Sequence, residues 1–246
     1  MEEEAKAQIG TYREKSIHAG LKKLLDPDES HYEVKLGRYI ADLFDGRRVT
    51  EIQTRSFYKM KSKLDAFLAD TDRIPDGVRL IFPATGEKHV YWVGESGEIT
   101  GGRKSPKHWG KQDVFRELYA IRGYLSHPRL SVEMIVVNYD EFRRLDGWSR
   151  DKKSGSTKID RVPTSFGERI VLSSEEDYAS LIPASLPEFF TISDYAKASH
   201  LKQNAAGQAL IVLRSVGAVT VMPDTGRKLL YRRTFSATLD KKTKNG

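Results

Sequence analysis

Apolar residues recur along the chain with two different periods, and the change of period separates helices from strands. An early apolar stripe at helical spacing predicts a helix from about Ala7 to Leu25, which ends before the turn residues Asp26-Pro27-Asp28. The stripe consists of Ile17, Leu21, Leu24 and Leu25. Alternating apolar and polar positions then predict three short strands, which cover residues 32–36, 39–44 and 49–54.

The pattern continues with a second helix that begins near Ser56, a residue type suited to an N-cap. Further apolar runs predict a strand over 78–82 with residues 89–93 as its hairpin partner, a helix over about 113–125, and a strand over 132–137. A helix, three strands, a helix and more strands predict an α/β fold with a mixed sheet flanked by helices.

Two carboxylates fall on neighbouring predicted strands. Asp45-Gly46 is a hairpin turn signal between the second and third strands. If those strands pair, Asp42 and Glu51 converge with Gln53 beside them, because side chains two apart share a face. Carboxylate oxygens on a rigid sheet suit a hard cation such as Mg²⁺. Each acid alone has an ordinary explanation, since Asp42 lies near a turn and a strand Glu is often solvated.

Asp42 followed by Glu51-Ile52-Gln53 resembles the core motif of the PD-(D/E)XK nuclease superfamily, in its resolvase-like prokaryotic branch. The resemblance implies a restriction-endonuclease-like sheet and a Mg²⁺ or Mn²⁺ site. It also implies catalytic roles for Asp42, Glu51, Gln53 and Glu14, with Asp42, Glu51 and Glu14 as metal ligands. Gln53 departs from the usual Lys and supplies no positive charge.

Glu14 can also be argued from the helix pattern. It lies three residues before Ile17 and seven before Leu21, so it falls on the inward stripe. A carboxylate on such a face is costly unless it is paired or binds a metal. The alternative is a solvated Glu14 near the helix start. His18, one turn further on, either supports the site or has a structural role.

Residues 187–236 resemble a winged helix-turn-helix. The pattern predicts a short helix over 192–198 capped by Thr191 or Ser193, a longer helix over 202–216 stopped by Gly217, and a hairpin around Pro223. Such modules place the second helix in the major groove and the wing on the backbone. The DNA-binding candidates are Lys202, Gln203, Asn204, Gln208, Arg214, Arg227, Lys228, Arg232 and Arg233. Winged helices also mediate protein contacts, which leaves that alternative open.

A basic, Gly-rich stretch over 101–111 adds Lys104 and Lys107 as phosphate-contact candidates, with Trp109 either stacking on a base or anchored in the core. We predict a nuclease-like domain over 1–145, a connecting segment over 146–186 that includes a Lys/Ser/Gly-rich loop, the winged helix over 187–236, and a basic tail over 237–246.

Composition narrows the function classes. The 246 residues carry a formal charge of +7, which favours a polyanionic partner. The sequence contains no cysteine, so disulfides and thiolate metal sites are excluded. It lacks a run of about 18 apolar residues and a signal-like start, which predicts a cytoplasmic protein without a membrane partner.

The sequence therefore predicts a metal-dependent DNA endonuclease with a DNA-binding winged helix. The partner is duplex or branched DNA, with RNA left open, and a homodimer is one candidate assembly. The alternatives are a catalytically inactive nuclease-like regulator that binds DNA, and a protein-interaction module.

Overall fold

A computed structural model describes residues 16–54, 56–106, 109–144, 155–223 and 229–234. The chain divides into two compact units, each built from separate stretches of sequence. The first unit comprises 1–54, 66–109 and 132–170, and the second comprises 55–65, 110–131 and 171–246. Within the described residues, no helix is both long enough and apolar enough to span a membrane.

Short helices and a large mixed sheet give the chain an α/β architecture. The α-helices are α1 Ser16–Leu25, α2 Lys61–Ala69, α3 Phe115–Ala120, α4 Glu175–Ala179, α5 Ile192–Ala198 and α6 Gln203–Ser215. Short 3-10 helices cover Glu29–His31, Phe57–Met60 and Lys111–Val114. The strands are β1 Tyr32–Leu36, β2 Tyr39–Phe44, β3 Val49–Ile52, β4 Val78–Val93, β5 Ile99–Lys104, β6 Leu130–Arg144, β7 Thr157–Leu172, β8 Phe189–Thr191, β9 Val219–Val221 and β10 Leu230–Arg233.

The first unit contains a seven-stranded sheet in the order β1-β2-β3-β4-β6-β7, with β5 paired to β4. β2 runs antiparallel to both β1 and β3, and β3 pairs parallel with β4. The prediction of an α/β fold with a mixed sheet flanked by helices is confirmed. The three predicted strands are present, although β3 ends at Ile52 rather than at residue 54.

Helix α1 is held on the sheet by most of the apolar stripe that predicted it, although Leu24 of that stripe is exposed. Ile17 and Leu21 are buried in one cluster with Ile52 of β3, Ile81 of β4 and Ile135 of β6. Burying such side chains stabilises the fold by about 1.5–3 kcal/mol each relative to full exposure. The helix ends at Leu25, as predicted, and the Asp26 amide donates to the Lys22 carbonyl at 2.9 Å.

Strand β4 differs from the prediction, because residues 78–82 and 89–93 belong to one continuous strand. The segment between them, which contains Gly86, has the composition of a turn but stays extended. A side chain at Gly86 would collide with Asn138 Oδ1, which instead accepts the Glu87 amide at 2.6 Å. Gly86 therefore permits close packing on β6. The hairpin partner of β4 is β5, after a turn closed by the Gly94 amide and the Glu98 carbonyl at 2.9 Å.

Parts of two segments predicted as surface loop or connection are strand. Residues 101–104 of the basic Gly-rich stretch belong to β5, and residues 157–172 of the predicted connecting segment form β7 of the large sheet. Residues 101–104 contain two Gly and two basic residues, a composition typical of loops, and β7 contains Pro163 and Gly167. Pairing with β4 and β6 in the sheet supplies the order that local propensity does not.

The second unit combines helices with a three-stranded sheet in the order β8-β10-β9. α6 packs on both α5 and α3. The buried Tyr195 of α5 donates from its hydroxyl to Gln112 Oε1 at 2.8 Å, and burial raises the pKa of that hydroxyl. The segment over 187–236 therefore shares its compact unit with 55–65 and 110–131.

The predicted ends of the two C-terminal helices are confirmed. Thr191 is the N-cap of α5, and its hydroxyl oxygen accepts the Asp194 amide at 3.3 Å. Gly217 follows α6 with a φ of +82°, and the Ala218 amide donates to the Leu213 carbonyl at 2.9 Å. This is the hydrogen bond by which a left-handed Gly ends a helix. Ser56, by contrast, makes no side-chain cap bond.

Candidate active site

The candidate site lies where β2 and β3 stop pairing. The pairing of the two strands ends at Leu43 opposite Thr50, so Asp42 and Glu51 are the next residue on each strand. In place of a further backbone pair, Asp42 Oδ2 accepts the Ile52 amide at 2.7 Å. The Asp42 carboxylate is thereby fixed to the backbone of β3, one residue away from Glu51.

His18 of α1 approaches the same carboxylate oxygen. Its Nε2 lies 3.1 Å from Asp42 Oδ2, and the two side chains are 22% and 17% exposed. Ile17, the preceding residue, is buried in the core beneath α1. The apolar contacts of the helix therefore set the position of this imidazole.

A second pair lies one helical turn further along α1. Lys22 has a side chain that is only 2% exposed, and its ammonium pairs with the carboxylate of Glu33. The same ammonium lies 5.7 Å from the centroid of the Tyr32 ring. Burying an ammonium is costly unless it is paired, so Glu33 is a direct stabiliser of Lys22.

Glu33 belongs to the same row of acids as Asp42. In the register of β1 and β2 it falls between the Tyr32–Leu43 and Val34–Ala41 pairs, which puts it beside Asp42. Its φ of +52° is unusual for a residue other than Gly and costs about 1–3 kcal/mol. Glu33, Asp42 and Glu51 therefore occupy consecutive positions across three strands, and α1 contacts the first two.

Glu51 and Gln53 complete the predicted motif. Glu51 is only 3% exposed, and a carboxylate buried this far needs a cation or hydrogen-bond donors. Gln53 lies just beyond β3. Its backbone N–H donates to the Ile81 carbonyl at 2.9 Å and continues the pairing with β4. Glu14 lies outside the described residues.

The donor set can be tested against a divalent cation. Asp42 and Glu51 offer carboxylate oxygens, the ligands that Mg²⁺ prefers. In the described part of the chain, no group of three or more His, Cys, Asp or Glu side chains has an arrangement that could hold a metal ion. The chemistry of the two acids suits the cation, and Glu14 stays the predicted third ligand.

Comparison with known proteins supplies a family. Residues 15–173 match a family described as a domain of unknown function, DUF8091. The chain belongs to this family. An uncharacterised protein of Treponema pallidum (strain Nichols) is 26% identical over 230 residues, which cover 92% of this chain and 87% of that protein. No solved structure matches the chain.

The residues of the candidate site fall inside the DUF8091 match, apart from Glu14, which precedes it by one residue. The sequence prediction missed Glu33 and its partner Lys22. Lys22 is four residues after His18, the spacing that puts two side chains on one helix face. A Lys beside the buried Leu21 reads as a solvated residue, and only the position of Glu33 opposite the helix reveals its burial.

The DNA-binding candidates beyond the DUF8091 match differ in their surroundings. Those on α6 and at its N-cap are exposed, except for Gln208, which is half-buried; the exposed ones are Lys202, Gln203, Asn204 and Arg214. Arg232 Nε lies 3.6 Å from Glu188 Oε1. Arg227 and Lys228 lie outside the described residues.

Arg233 has a structural role that the prediction did not foresee. Its guanidinium donates to the carbonyls of Pro183 and Leu186, the latter at 2.9 Å. Burial lowers the pKa of Arg233. A side chain held in this way ties β10 to the segment before β8, and its donors toward these carbonyls are not available to a phosphate.

The basic stretch of the first unit is similarly engaged. Lys104 donates to Glu87 Oε1 at 2.6 Å, and Lys107 lies outside the described residues. Trp109 packs against Phe82 with ring centroids 6.2 Å apart, and its indole nitrogen is buried. These contacts favour the core-anchored alternative for Trp109.

Proposed function

We propose that this DUF8091 protein is a metal-dependent nuclease that hydrolyses phosphodiester bonds in DNA. One observation carries the proposal: Asp42 and Glu51 are adjacent at the point where β2 and β3 separate, and the Ile52 amide fixes the Asp42 carboxylate. Two carboxylates held by neighbouring strands match the residue types and spacing of the PD-(D/E)XK motif.

Asp42 and Glu51 would hold the Mg²⁺ or Mn²⁺, with Glu14 as a third ligand. A bound cation of this kind lowers the pKa of a water molecule and neutralises charge on the scissile phosphate. Oxygen ligands alone suit both metals, and the chain has no cysteine that would select a softer one.

The chain's own residues would position the reacting groups. His18 and the Ile52 amide orient Asp42, and hydrogen-bonded carboxylates are better fixed as ligands. Gln53 would orient the water or a phosphate oxygen through its amide group. Gln53 carries no charge, so a positive charge near the site would come from another residue. Lys22 is a buried cation that pairs with Glu33, and Glu33 lies in the row of acids.

DNA is the proposed substrate because of charge and because of the C-terminal segment. The net charge of +7 favours polyanions. Two helices joined by a short turn, followed by antiparallel β9 and β10, have the element order of a winged helix. The exposed Lys202, Asn204 and Arg214 of the second helix could then contact bases or phosphates.

A second candidate function is a nuclease-like protein that binds DNA without cleaving it. It is favoured by Gln53 at the position of the usual Lys, and by the absence of a three-residue metal group among the residues that the structure describes. It is further favoured by the contacts of Asp42 Oδ2, which already faces both the Ile52 amide and His18.

A cleavage assay separates the two functions. Supercoiled plasmid and branched duplexes are incubated with wild type, Asp42→Asn or Glu51→Gln in Mg²⁺, Mn²⁺ or EDTA, and folding is checked by circular dichroism. The exposed Glu95→Gln is the matched control. We expect metal-dependent cleavage that both site variants lose and the control retains. Cleavage in both site variants contradicts the assignment, and tight binding without any cleavage supports the second candidate.

A further inference from the structure

A buried carboxylate elsewhere in the large sheet is surrounded by cations. Glu141 of β6 has a side chain with no solvent exposure. Its two oxygens contact side chains from three adjacent strands, β4, β6 and β7. The cations, with their distances to Glu141, are Lys88 Nζ at 3.6 Å, Arg143 Nε at 2.7 Å, Lys158 Nζ at 3.3 Å and Arg161 Nε at 2.9 Å. We call these five residues the Glu141 cluster.

The Glu141 cluster has more positive charge than its carboxylate can balance. Four cations surround one anion, and the acids adjacent in sequence are engaged elsewhere. Asp160 accepts the Ser16 amide at 3.3 Å, and Asp140 lies 3.7 Å from His89. One carboxylate would be satisfied by one or two of these cations, so the arrangement exceeds what pairing Glu141 requires.

The protonation behaviour agrees with an excess of positive charge. Burial would raise the pKa of Glu141, yet hydrogen bonds from Arg143 and Arg161 and the charge of Lys158 lower it to about 2. Burial lowers the pKa of Lys158, and the charge of Arg161 lowers it further. The carboxylate is thus strongly stabilised in its charged form, while the lysine is not.

The cations remain reachable from solvent. Lys88 and Arg143 have side chains that are 14% and 24% exposed, and Arg161 and Lys158 are 35% and 36% exposed. Arg161 is also held over the Tyr139 ring, 5.2 Å from its centroid. The buried Glu141 therefore fixes the inner side of cationic groups whose other side is exposed. Each guanidinium has five donors in a planar fork that matches phosphate oxygens.

We propose that the Glu141 cluster binds a phosphate group. The chemistry is shared by a phosphodiester of a nucleic-acid backbone and by a free phosphoryl anion. Glu141 acts as the positioning residue, and Lys158 and Arg161, the two most exposed cations, contact the phosphate oxygens. The proposal uses none of the candidate active-site residues and holds whether or not the protein cleaves DNA.

The test measures binding of two probes in EDTA, so that no metal takes part. Pyrophosphate is titrated by calorimetry, and a fluorescent 20-base-pair duplex is followed by anisotropy over a series of salt concentrations. Lys158→Gln with Arg161→Gln is compared with wild type and with Lys23→Gln plus Arg73→Gln, two exposed cations of the same unit. Thermal unfolding checks that all proteins are folded.

We expect the cluster variant to lose at least tenfold in affinity for one probe, while the control stays within twofold. If the duplex is the ligand, the slope of log affinity against log salt also becomes shallower by about one or two. Loss with pyrophosphate alone identifies a free phosphoryl anion, and loss with the duplex identifies the backbone. Unchanged affinity for both probes, or no binding by wild type, overturns the proposal.

Glu141→Gln provides a second test that separates binding from mere structure. Removal of the carboxylate takes away the group that positions the cations, so added pyrophosphate should raise the unfolding temperature of this variant less than that of wild type. An equal or larger rise in the variant contradicts the proposal, because loss of the counter-charge alone would strengthen anion binding at cations that are not positioned for a phosphate.

Discussion

The Asp42 corner, which consists of Glu33, Asp42 and Glu51 with Lys22, lies on the same sheet as the Glu141 cluster but has the opposite excess of charge. At the corner, three acids, Glu33, Asp42 and Glu51, occupy neighbouring strands, and the buried cation is Lys22. In the cluster the buried group is a single carboxylate, and the cations are the partly exposed partners. A surplus of acid suits a metal cation and a surplus of base suits a phosphate.

The largest expected effect is the loss of cleavage when either proposed metal ligand of the Asp42 corner is removed. Asp42→Asn and Glu51→Gln each remove a proposed metal ligand, which should lower the cleavage rate about a thousandfold or more, or about 4 kcal/mol. Glu33→Gln is the matched variant, because Glu33 is in the same row but pairs with Lys22 and is 58% exposed. It should cost less than about tenfold. Equal losses in all three, measured by single-turnover cleavage, would contradict the assignment of Asp42 and Glu51 as ligands.

The next effect concerns the stability of the cluster. The pKa of Glu141 falls from 4.5 to about 2 on folding, so its charge stabilises the fold above pH 4.5 and this contribution disappears as the pH falls toward 2. The shift corresponds to about 3 kcal/mol. Urea unfolding from pH 6 to pH 2.5 should therefore show a smaller pH dependence for Glu141→Gln than for wild type. Identical pH profiles would show that Glu141 is not the group responsible.

A smaller effect is expected at His18. His18→Gln keeps a polar group near Asp42 but removes the imidazole, which should weaken metal-dependent cleavage about tenfold by loosening the orientation of Asp42. The apparent metal affinity should fall with it, because the ligand is less well fixed. Titration of cleavage rate with Mg²⁺ measures both quantities. A lower rate at unchanged metal affinity would assign His18 to another role.

The smallest expected effect is on duplex binding by exposed cations that, unlike those of the Glu141 cluster, surround no buried carboxylate. Lys202→Gln with Arg214→Gln on α6 should weaken duplex binding by about three- to tenfold, by the loss of two solvated phosphate contacts. The exposed pair Lys197→Gln with Arg116→Gln is the control. Equal affinities for both double variants, by anisotropy in EDTA, would remove α6 from the proposed interface. Substitution is preferable to truncation here, because Tyr195 and Arg233 bond to segments outside the C-terminal module.

Much of the fold could be predicted from local patterns. The bounds of β1 and β2, the end of α1 at Leu25 and the Thr191 cap follow from alternation, helical spacing and capping chemistry, which act within a few residues. The long strands β4 and β7 could not be predicted in this way. Gly86 in β4 resembles a turn residue, Pro163 and Gly167 interrupt the pattern of β7, and only pairing with distant strands keeps these residues extended.

The candidate sites show the same limit. Asp42 and Glu51 were accessible to prediction because a two-residue alternation and one turn bring them together. Lys22 and the Glu141 cluster were not, because their partners lie on other elements. Glu141 meets Lys88 from 53 residues earlier only through the order of β4, β6 and β7 in the sheet. Charge pairs that depend on sheet order leave no periodic signal in the sequence.

The most direct test of the central claim is a calorimetric titration of Mn²⁺ into wild type, Asp42→Asn and Glu141→Gln. We expect that wild type binds Mn²⁺, that Asp42→Asn loses at least tenfold in affinity, and that Glu141→Gln binds as wild type does. Absence of Mn²⁺ binding by wild type, or equal affinity in wild type and Asp42→Asn, would contradict the assignment of the Asp42 corner as a metal site.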